Sequence, residues 1–412
     1  MSKQSDSGRG ASGASKYPLD FFACPNGDCA DFNQFAHGNL SVVERMGKDK
    51  AIRRLYCKTC ATRFSERKGS LREYCKLPLP DVVRIVKCLT HGCSVEATAD
   101  ICEVDTRTVQ RIVSRGGQRS KDFQQLPLDQ LNQPLEAIEM DELHGRSGDD
   151  EKGSEKKGAS KRRPMGRTWG HVALEVKSRY VIDFRIGPRT LETTIALVTS
   201  VAVCCVRFLK YPLLWVDDHA PYRTAILQVF GQIKHRRRKR RHGRKCHPCL
   251  RPPPGLRVGI VKKLRDDSGH LLKVSRKAFS GSVKQIESRI RKLGIGRLIN
   301  TSHIERLNGT IRVQQARLRR RTRTGSQRTD FLQRSVWLWR DLYNWVRVHG
   351  SLQGRTPAMA LGLSTHVWSV GEYICHPVHV SDLVRQNWLD ERNETSESLL
   401  EARKRKKMLP TS

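Results

Sequence analysis

Leu135-Glu-Ala-Ile-Glu-Met-Asp-Glu-Leu-His144 is the stretch on which the reading of this chain turns. Ile138 and Met140 alternate with polar residues and lead into Asp141, the pattern of a strand that delivers an acid near its end. Trp169 to Val176 and Tyr180 to Ile186 read as two more strands, joined by the turn Lys177-Ser178-Arg179. Thr190 to Leu209 then reads as a helix with Thr190 as its N-cap. Pro212 to Val216 is a short, fully apolar strand of the buried kind, ending in Asp217-Asp218-His219, and Pro221 to Phe230 is the next helix. Acids at the strand ends of an α/β sheet are where ligand and metal sites belong.

A third acid follows much later, in Asn300-Thr-Ser-His-Ile-Glu-Arg-Leu-Asn-Gly-Thr-Ile-Arg312. Ser302 can cap a helix on which Glu305, Asn308 and Arg312 share one face. Arg317, Arg319, Arg320, Arg321 and Arg323 continue it, as suits an acid whose helix lies along DNA. His303 is expected to stabilise the start of that helix. Phosphodiester transfer needs an activated water or 3′-OH and a stabilised leaving oxygen. Two Mg²⁺ (or Mn²⁺) ions about 4 Å apart do both, and such hard cations take oxygen ligands. The expected arrangement has Asp141 bridging both ions, Asp217 holding one and Glu305 the other. Each acid alone, like its neighbours Glu142 and Asp218, reads equally as a cap or a surface charge. The order strand, strand, helix is what distinguishes the three.

The composition points to a polyanionic partner, with a ribosome-like or merely sticky protein as the bland alternative. The 412 residues carry 77 Lys and Arg against 41 Asp and Glu, a formal charge of +36, spread over most of the chain. A field of that size calls for a polyanion, and nucleic acid is the default. The polar, Ser/Gly-rich start has no signal-peptide pattern, and the longest apolar stretch, Ile195 to Leu209, is too short to span a bilayer. The expectation is a cytoplasmic, nucleoid-associated protein with no membrane contact. Thirteen cysteines in that compartment argue for metal ligands and buried thiols over disulfides.

Cys24-Pro-Asn-Gly-Asp-Cys29 and Cys57-Lys-Thr-Cys60 read as two knuckles of one structural Zn²⁺ site, closing a region with no other evident core. Cys246-His-Pro-Cys249 has no partner pair at metal-binding spacing, though His242 and His247 lie near. Cys75, Cys88, Cys93, Cys102, Cys204, Cys205 and Cys375 read as small buried apolar residues. Between the knuckles and the first acid, Pro80 to Thr90, Val95 to Ile101 and Arg107 to Ser114 have helical periods. Ser94 and Thr106 are placed to cap the second and third, and Gly116-Gly117 to end the third. That is a helix-turn-helix layout, with Arg107, Thr108, Gln110 and Arg111 outward where base edges are read. A bundle that only bridges domains is the bland alternative. Trp337, Trp339, Tyr343 and Trp345 fall in a helix from Phe331 to Val348 and read as packing residues.

The resulting division is a disordered lead (1–16), a zinc ribbon (17–75), a helix-turn-helix (76–120), a linker (121–134), an α/β domain (135–365) and a charged C-terminal extension (366–412). Insertions interrupt the α/β domain near 146–167 and 234–273, and nine of the twelve residues from Lys234 to Lys245 are Lys or Arg. The class is multidomain α+β.

At these residues the chain resembles a bacterial insertion-sequence DDE transposase, closest to the insertion-sequence-one family. The carriers are the four-cysteine ribbon, the helix-turn-helix, Met140-Asp-Glu-Leu143, Gly187-Pro-Arg-Thr190, Asp217 to Tyr222, Ile304-Glu-Arg-Leu-Asn308, and the closing Tyr343-Asn344, His349 and Arg355-Thr-Pro-Ala358. The likeness covers about residues 20–365. Spacing to Tyr222 favours Asp217 over Asp218 as the second acid. The resemblance implies an RNase H-like core, Mg²⁺-dependent DNA cleavage and strand transfer at terminal repeats and a target DNA, and a homo-oligomer that pairs two element ends. The helix face shared with Glu305 and its Arg-rich continuation put Asn308, Arg312 and Arg319 beside DNA. Two other functions fit parts of the sequence: a sequence-specific DNA-binding regulator with an inactive nuclease-like domain, and a general RNase H-like nuclease or junction resolvase.

Overall fold

In the computed structural model the chain divides into two units, Met1–Lys87 with Ser369–Arg385 and Cys88–Trp368 with Gln386–Ser412. The structure describes residues 17–47, 50–145, 168–206, 208, 210–234, 249–268, 270–319, 326, 328–381 and 384–386. Residues 1–16, the expected insertion 146–167, the basic run from 235, Cys246 and His247, Arg320, Arg321 and Arg323, and the residues from 387 lie outside them.

In the first unit β1 (Leu40–Met46), β2 (Ile52–Cys57) and β3 (Arg63–Ser65) form an antiparallel sheet in that order. Phe22, Leu40, Leu55 and Phe64 bury themselves around Cys24, Cys29 and Cys57. The region therefore has a small apolar core after all, which the sequence reading denied it. The first unit also recruits part of the expected C-terminal extension. A helix, Val370–Cys375, opens with a capping box between Ser369 and Glu372. Leu71 N–H donates to Ile374 O and Val378 N–H to Gly69 O, each at 3.1 Å. The His376 ring stacks on Phe35 and meets Phe21 edge-on. α1 (Leu79–Thr90) begins in this unit.

The second unit opens with α2 (Val95–Ile101), whose N-cap is Ser94 as expected, its hydroxyl accepting from Ala97 N–H. α3 (Thr106–Asp129) is capped by Asp105, not Thr106, and runs for 24 residues. It passes straight through Gly116-Gly117 and occupies the expected linker as far as Asp129. Gly117 is there for contact. A Cβ on it would stand 2.3 Å from Arg334 O, so its bareness lets a later helix approach. Beyond them, Gln124 donates to Val181 O and Ile182 O and accepts from the Tyr180 hydroxyl.

Then come β4 (Ala137–His144), β5 (Thr168–Glu175), β6 (Val181–Pro188), α4 (Leu191–Val206), β7 (Leu213–Asp217) and α5 (Ala220–Phe230). β8 (Gln232–Lys234) and β9 (Cys249–Arg251) make a small separate ribbon. β10 (Arg257–Arg265), β11 (Leu271–Ser280), α6 (Val283–Lys292), α7 (Ser302–Gln314) and α8 (Thr329–Trp345) follow. Six strands form one mixed sheet, β11-β10-β7-β4-β5-β6. β4, β5 and β6 are antiparallel neighbours, whereas β7 runs parallel to β4 and β10 parallel to β7. That order is consistent with an RNase H-like domain. β10 corrects the sequence reading, which left 234–273 as an insertion. Val258, Ile260 and Val261 are buried β-branched residues of a core strand, hidden in a basic context.

Side chains alternate across a strand. On β4, Leu143 joins the apolar layer formed by Ile304, Leu307 and Ile311 of α7 and Val336, Trp339 and Tyr343 of α8. Ala137 of the same face joins Trp215, Val261, Ile286 and Ile290, under α6. The even residues of β4 face the side where Tyr222 of α5 lies. Trp339, Tyr343 and Trp345 are buried in α8, as expected of a closing helix. Asp183 is held by Arg185, Ser200 and the buried Arg340. Of the cysteines read as buried, Cys102, Cys204 and Cys205 are; Cys75, Cys88, Cys93 and Cys375 are half-buried.

Gly117→Ala should destabilise the protein by about 1–3 kcal/mol despite alanine's better helix propensity, because the new methyl meets backbone that cannot yield. Gly309→Ala in α7, where nothing lies within 4 Å of the new Cβ, should stabilise by about 0.5–1 kcal/mol. Thermal or urea unfolding checks the opposite signs.

Candidate active site and metal centre

Strand pairing sets the first two acids side by side. Met140 of β4 is registered with Val216 of β7 in a parallel pair. Asp141 and Asp217 each follow by one residue, on neighbouring strands about 4.8 Å apart. Asp141 lies within β4 instead of near its end, since pairing with β5 continues to His144. Burial pushes the Asp141 carboxyl up to about 8, helped by the charges of Asp217, Glu142 and Glu305. Burial and then Glu142 push Asp217 up to about 6, against the pull of His219 N–H and Arg189. Asp218 points elsewhere: it pairs with Arg223 at 2.6 Å and Lys262 at 3.3 Å. Asp217, and not Asp218, thus stands beside Asp141.

The third acid is placed by a residue the sequence reading passed over. Glu139 lies two residues before Asp141, hence on the same face of β4. It is fully buried. Its Oε2 accepts from Ile304 N–H at 2.6 Å, and its Oε1 lies 3.0 Å from His303 Nδ1. An acid at a helix N-terminus satisfies an orphan N–H and the helix dipole together. The signal was available: a glutamate between two buried apolar residues of a central strand must have a partner. His303 stabilises the helix start, as expected. Thr301, not Ser302, stands at the N-cap, and its hydroxyl donates to Glu305 Oε1 at 2.5 Å. Glu305 is exposed and also pairs with Lys263 of β10. Asn308, expected beside DNA, is instead buried and donates to Asp141 Oδ2 at 2.8 Å.

On the other face of β4, the buried Glu142 receives Arg189 Nε and a terminal guanidinium nitrogen at 3.1 and 3.0 Å. Arg189 also stacks on Trp169, 4.7 Å from ring centre to guanidinium carbon, and comes within 3.9 Å of Asp217. Burial, then the Glu142 charge, push the Tyr222 phenol well above its ordinary range, so it stays a protonated neighbour of that carboxylate. Three separate sequence stretches, Met140–Leu143, Gly187–Thr190 and Asp217–Tyr222, therefore meet at one place.

Repelling, partly buried carboxylates with oxygen donors fit a hard divalent cation, whose charge relieves the repulsion. Among the described residues the acids do not form a cluster as tight as the cysteines, whose ligand atoms all lie within 4.8 Å of one another.

The cysteines do come together. Cys24 Sγ and Cys60 Sγ are 3.6 Å apart, and Cys29 Sγ and Cys57 Sγ 3.8 Å. Four thiolates about 2.3 Å from one Zn²⁺ stand roughly 3.8 Å apart at tetrahedral corners, so this group could hold zinc with no position left open. Asn39 Nδ2 donates to Cys57 Sγ and the Cys60 thiol meets the Thr62 hydroxyl, the outer contacts that orient such ligands.

On α3, Val109, Ile112 and Val113 are buried, Arg107, Gln110 and Arg111 exposed, and Thr108 half-buried. Arg312 is half-buried. Arg319 is exposed, and one of its guanidinium nitrogens donates to Val313 O. Among the described residues no helix is long and apolar enough to cross a membrane.

No protein-family model and no curated protein matches the chain. Among solved structures, the crystal structure of the Mos1 strand transfer complex matches at a TM-score of 0.14 and 11% identity, over 36% of this chain and 55% of that one. The match spans about half of that chain's length and is too slight to say anything of activity.

Metal analysis of the reduced protein should find one zinc per four-cysteine cluster. Cys57→Ser should lose the zinc and melt at lower temperature. A Cys57→Ser protein that keeps both would remove the site.

Proposed function

We propose that this chain is a metal-dependent DNA transposase, which binds the terminal repeats of an insertion sequence and cuts and joins DNA strands at Asp141, Asp217 and Glu305. The observation that carries the reading is the convergence of two strands and a helix: the β4–β7 register sets Asp141 beside Asp217, and Asn308, on the helix that carries Glu305, donates to Asp141, though 164 residues separate Asp141 from Glu305. The strand order of the sheet, consistent with an RNase H-like domain, and the resemblance of the motif order to insertion-sequence transposases support it. The formal charge of +36 supports DNA as the partner.

Asp141, Asp217 and Glu305 would hold Mg²⁺ or Mn²⁺, which when bound activates the attacking oxygen and stabilises the leaving one. Asn308 fixes the rotamer of Asp141. Arg189, tethered by Glu142 and Trp169, keeps a cation beside Asp217, where the charge of a scissile phosphate would gather. The four cysteines would hold a structural zinc. Arg107, Thr108, Gln110 and Arg111 would face base edges at the start of α3, with Arg312 and Arg319 on phosphates. The same rod of about 36 Å that carries the reading end is anchored to the sheet at its other end. Pairing two element ends would call for more than one copy of the chain.

Glu305→Gln should lower Mg²⁺- and Mn²⁺-dependent cleavage and strand joining on the correct ends by on the order of a thousandfold or more. Its affinity for the same DNA should stay within about twofold, since the lost group touches metal and not the recognition surface. Full cleavage by Glu305→Gln refutes the assignment. Binding without cleavage by the unaltered chain would identify a regulator.

A further inference from the structure

A second feature of the second unit is not used by the acids. At the start of β10, α6 overhangs an open cleft of about 550 Å³ lined by Gly255, Arg257, Lys284, Gln285, Ser288, Arg289 and Lys292. Four of these seven are cations and none is an acid. Lys284, Ser288 and Lys292 recur at every fourth position, so they form one row along the helix, opposite the buried Ile286 and Ile290. Arg289 donates to Tyr211 O at 3.1 Å, which fixes its guanidinium at the wall. Burial lowers its pKa, Glu136 opposes, and the charge of Arg257 adds to the lowering. Glu136 is itself paired with Lys177 at 3.1 Å.

We infer that this cleft binds a nucleic-acid backbone, as a phosphate track separate from the carboxylate site. The inference rests on the DNA reading above. The shape of the charge argues for a polymer. The row from Lys284 to Lys292 rises about 12 Å, whereas phosphates on one strand of a duplex advance about 3.4 Å each, so the row meets several in succession and is too long for one. Its place agrees. Arg257 and Lys263 lie on the same face of β10, the first at the cleft and the second against Glu305. Six residues of strand separate them by about 20 Å, or some six base-pair steps of a duplex. A DNA held at the acids therefore needs a second hold at this distance to be fixed in direction, and α6 supplies it.

The test is a salt titration of duplex binding with the full chain. A fluorescently labelled random duplex is followed by anisotropy for the unaltered protein, for Lys284→Gln/Lys292→Gln, and for Lys284→Arg/Lys292→Arg. Each lost phosphate contact should lower the slope of log affinity against log salt by about 0.9, so the Gln pair should lose about 1.8 and the Arg pair nothing. An unchanged slope in the Gln pair, with the unaltered protein binding normally, overturns the inference and leaves the proposed function standing. Inorganic phosphate at constant ionic strength should not compete. Displacement of duplex by phosphate from the unaltered protein but not from the Gln pair would make the cleft a small-anion site and also overturn it. If the Gln pair loses slope while the unaltered protein joins no strands, the cleft stands and the strand-transfer reading falls.

Discussion

The Glu139 carboxylate is buried in a central strand, and its charge has to be answered. Leaving one such group unpaired costs several kcal/mol. The answer is the first turn of α7, through Ile304 N–H and His303. That contact ties a helix to a strand 165 residues earlier in the chain. Glu305 is the next residue after Ile304, and Asp141 lies one alternation along β4. A structural contact thus brings the strand of Asp141 to the helix of Glu305, and Asn308 closes the same link one turn further on. Parallel pairing of β7 with β4 adds Asp217 without any long-range device of its own.

The sheet has two differently used faces, and β4 serves both. Its odd residues face α7 and α8, where Glu139 and Asp141 meet the helix that carries Glu305. Its even residue Glu142 holds Arg189 on the far side, close enough to reach Asp217. A strand that was amphipathic in the ordinary sense would bury only apolar groups on these faces. Here the acids are tolerated because each finds a partner: a helix N-terminus, an amide, a guanidinium. Asp141 and Asp217 both stay raised, Asp141 the further, because burial and the neighbouring acids oppose their charge.

Much of this was legible beforehand, for physical reasons. β4 to α5 announced themselves through period-two and period-3.6 apolar patterns broken by turn residues. The cysteine pairs had zinc-knuckle spacing, and the thiols do converge. What was missed has physical causes too. Gly116-Gly117 carries the ordinary helix-stop signal, and only the nearness of Arg334 shows that it serves packing. β10 was obscured because Lys262, Lys263 and Arg265 give the strand the composition of a surface loop. The return of 369–381 to the first unit was masked by the charged tail beyond it, although Ser369 and Glu372 spell a capping box. Asn308 was read from helical spacing alone, which places it on the face of Glu305 but does not say whether that face is wet.

The central claim is that three acids from two strands and one helix form a site for divalent cations. The most direct measurement is electron paramagnetic resonance of Mn²⁺ added to the zinc-loaded protein, with Asp141→Asn beside it. The account predicts bound Mn²⁺ in the unaltered chain, up to about two ions per chain, and loss of that binding in Asp141→Asn with the fold intact by circular dichroism. Equal Mn²⁺ binding by the two proteins would contradict it.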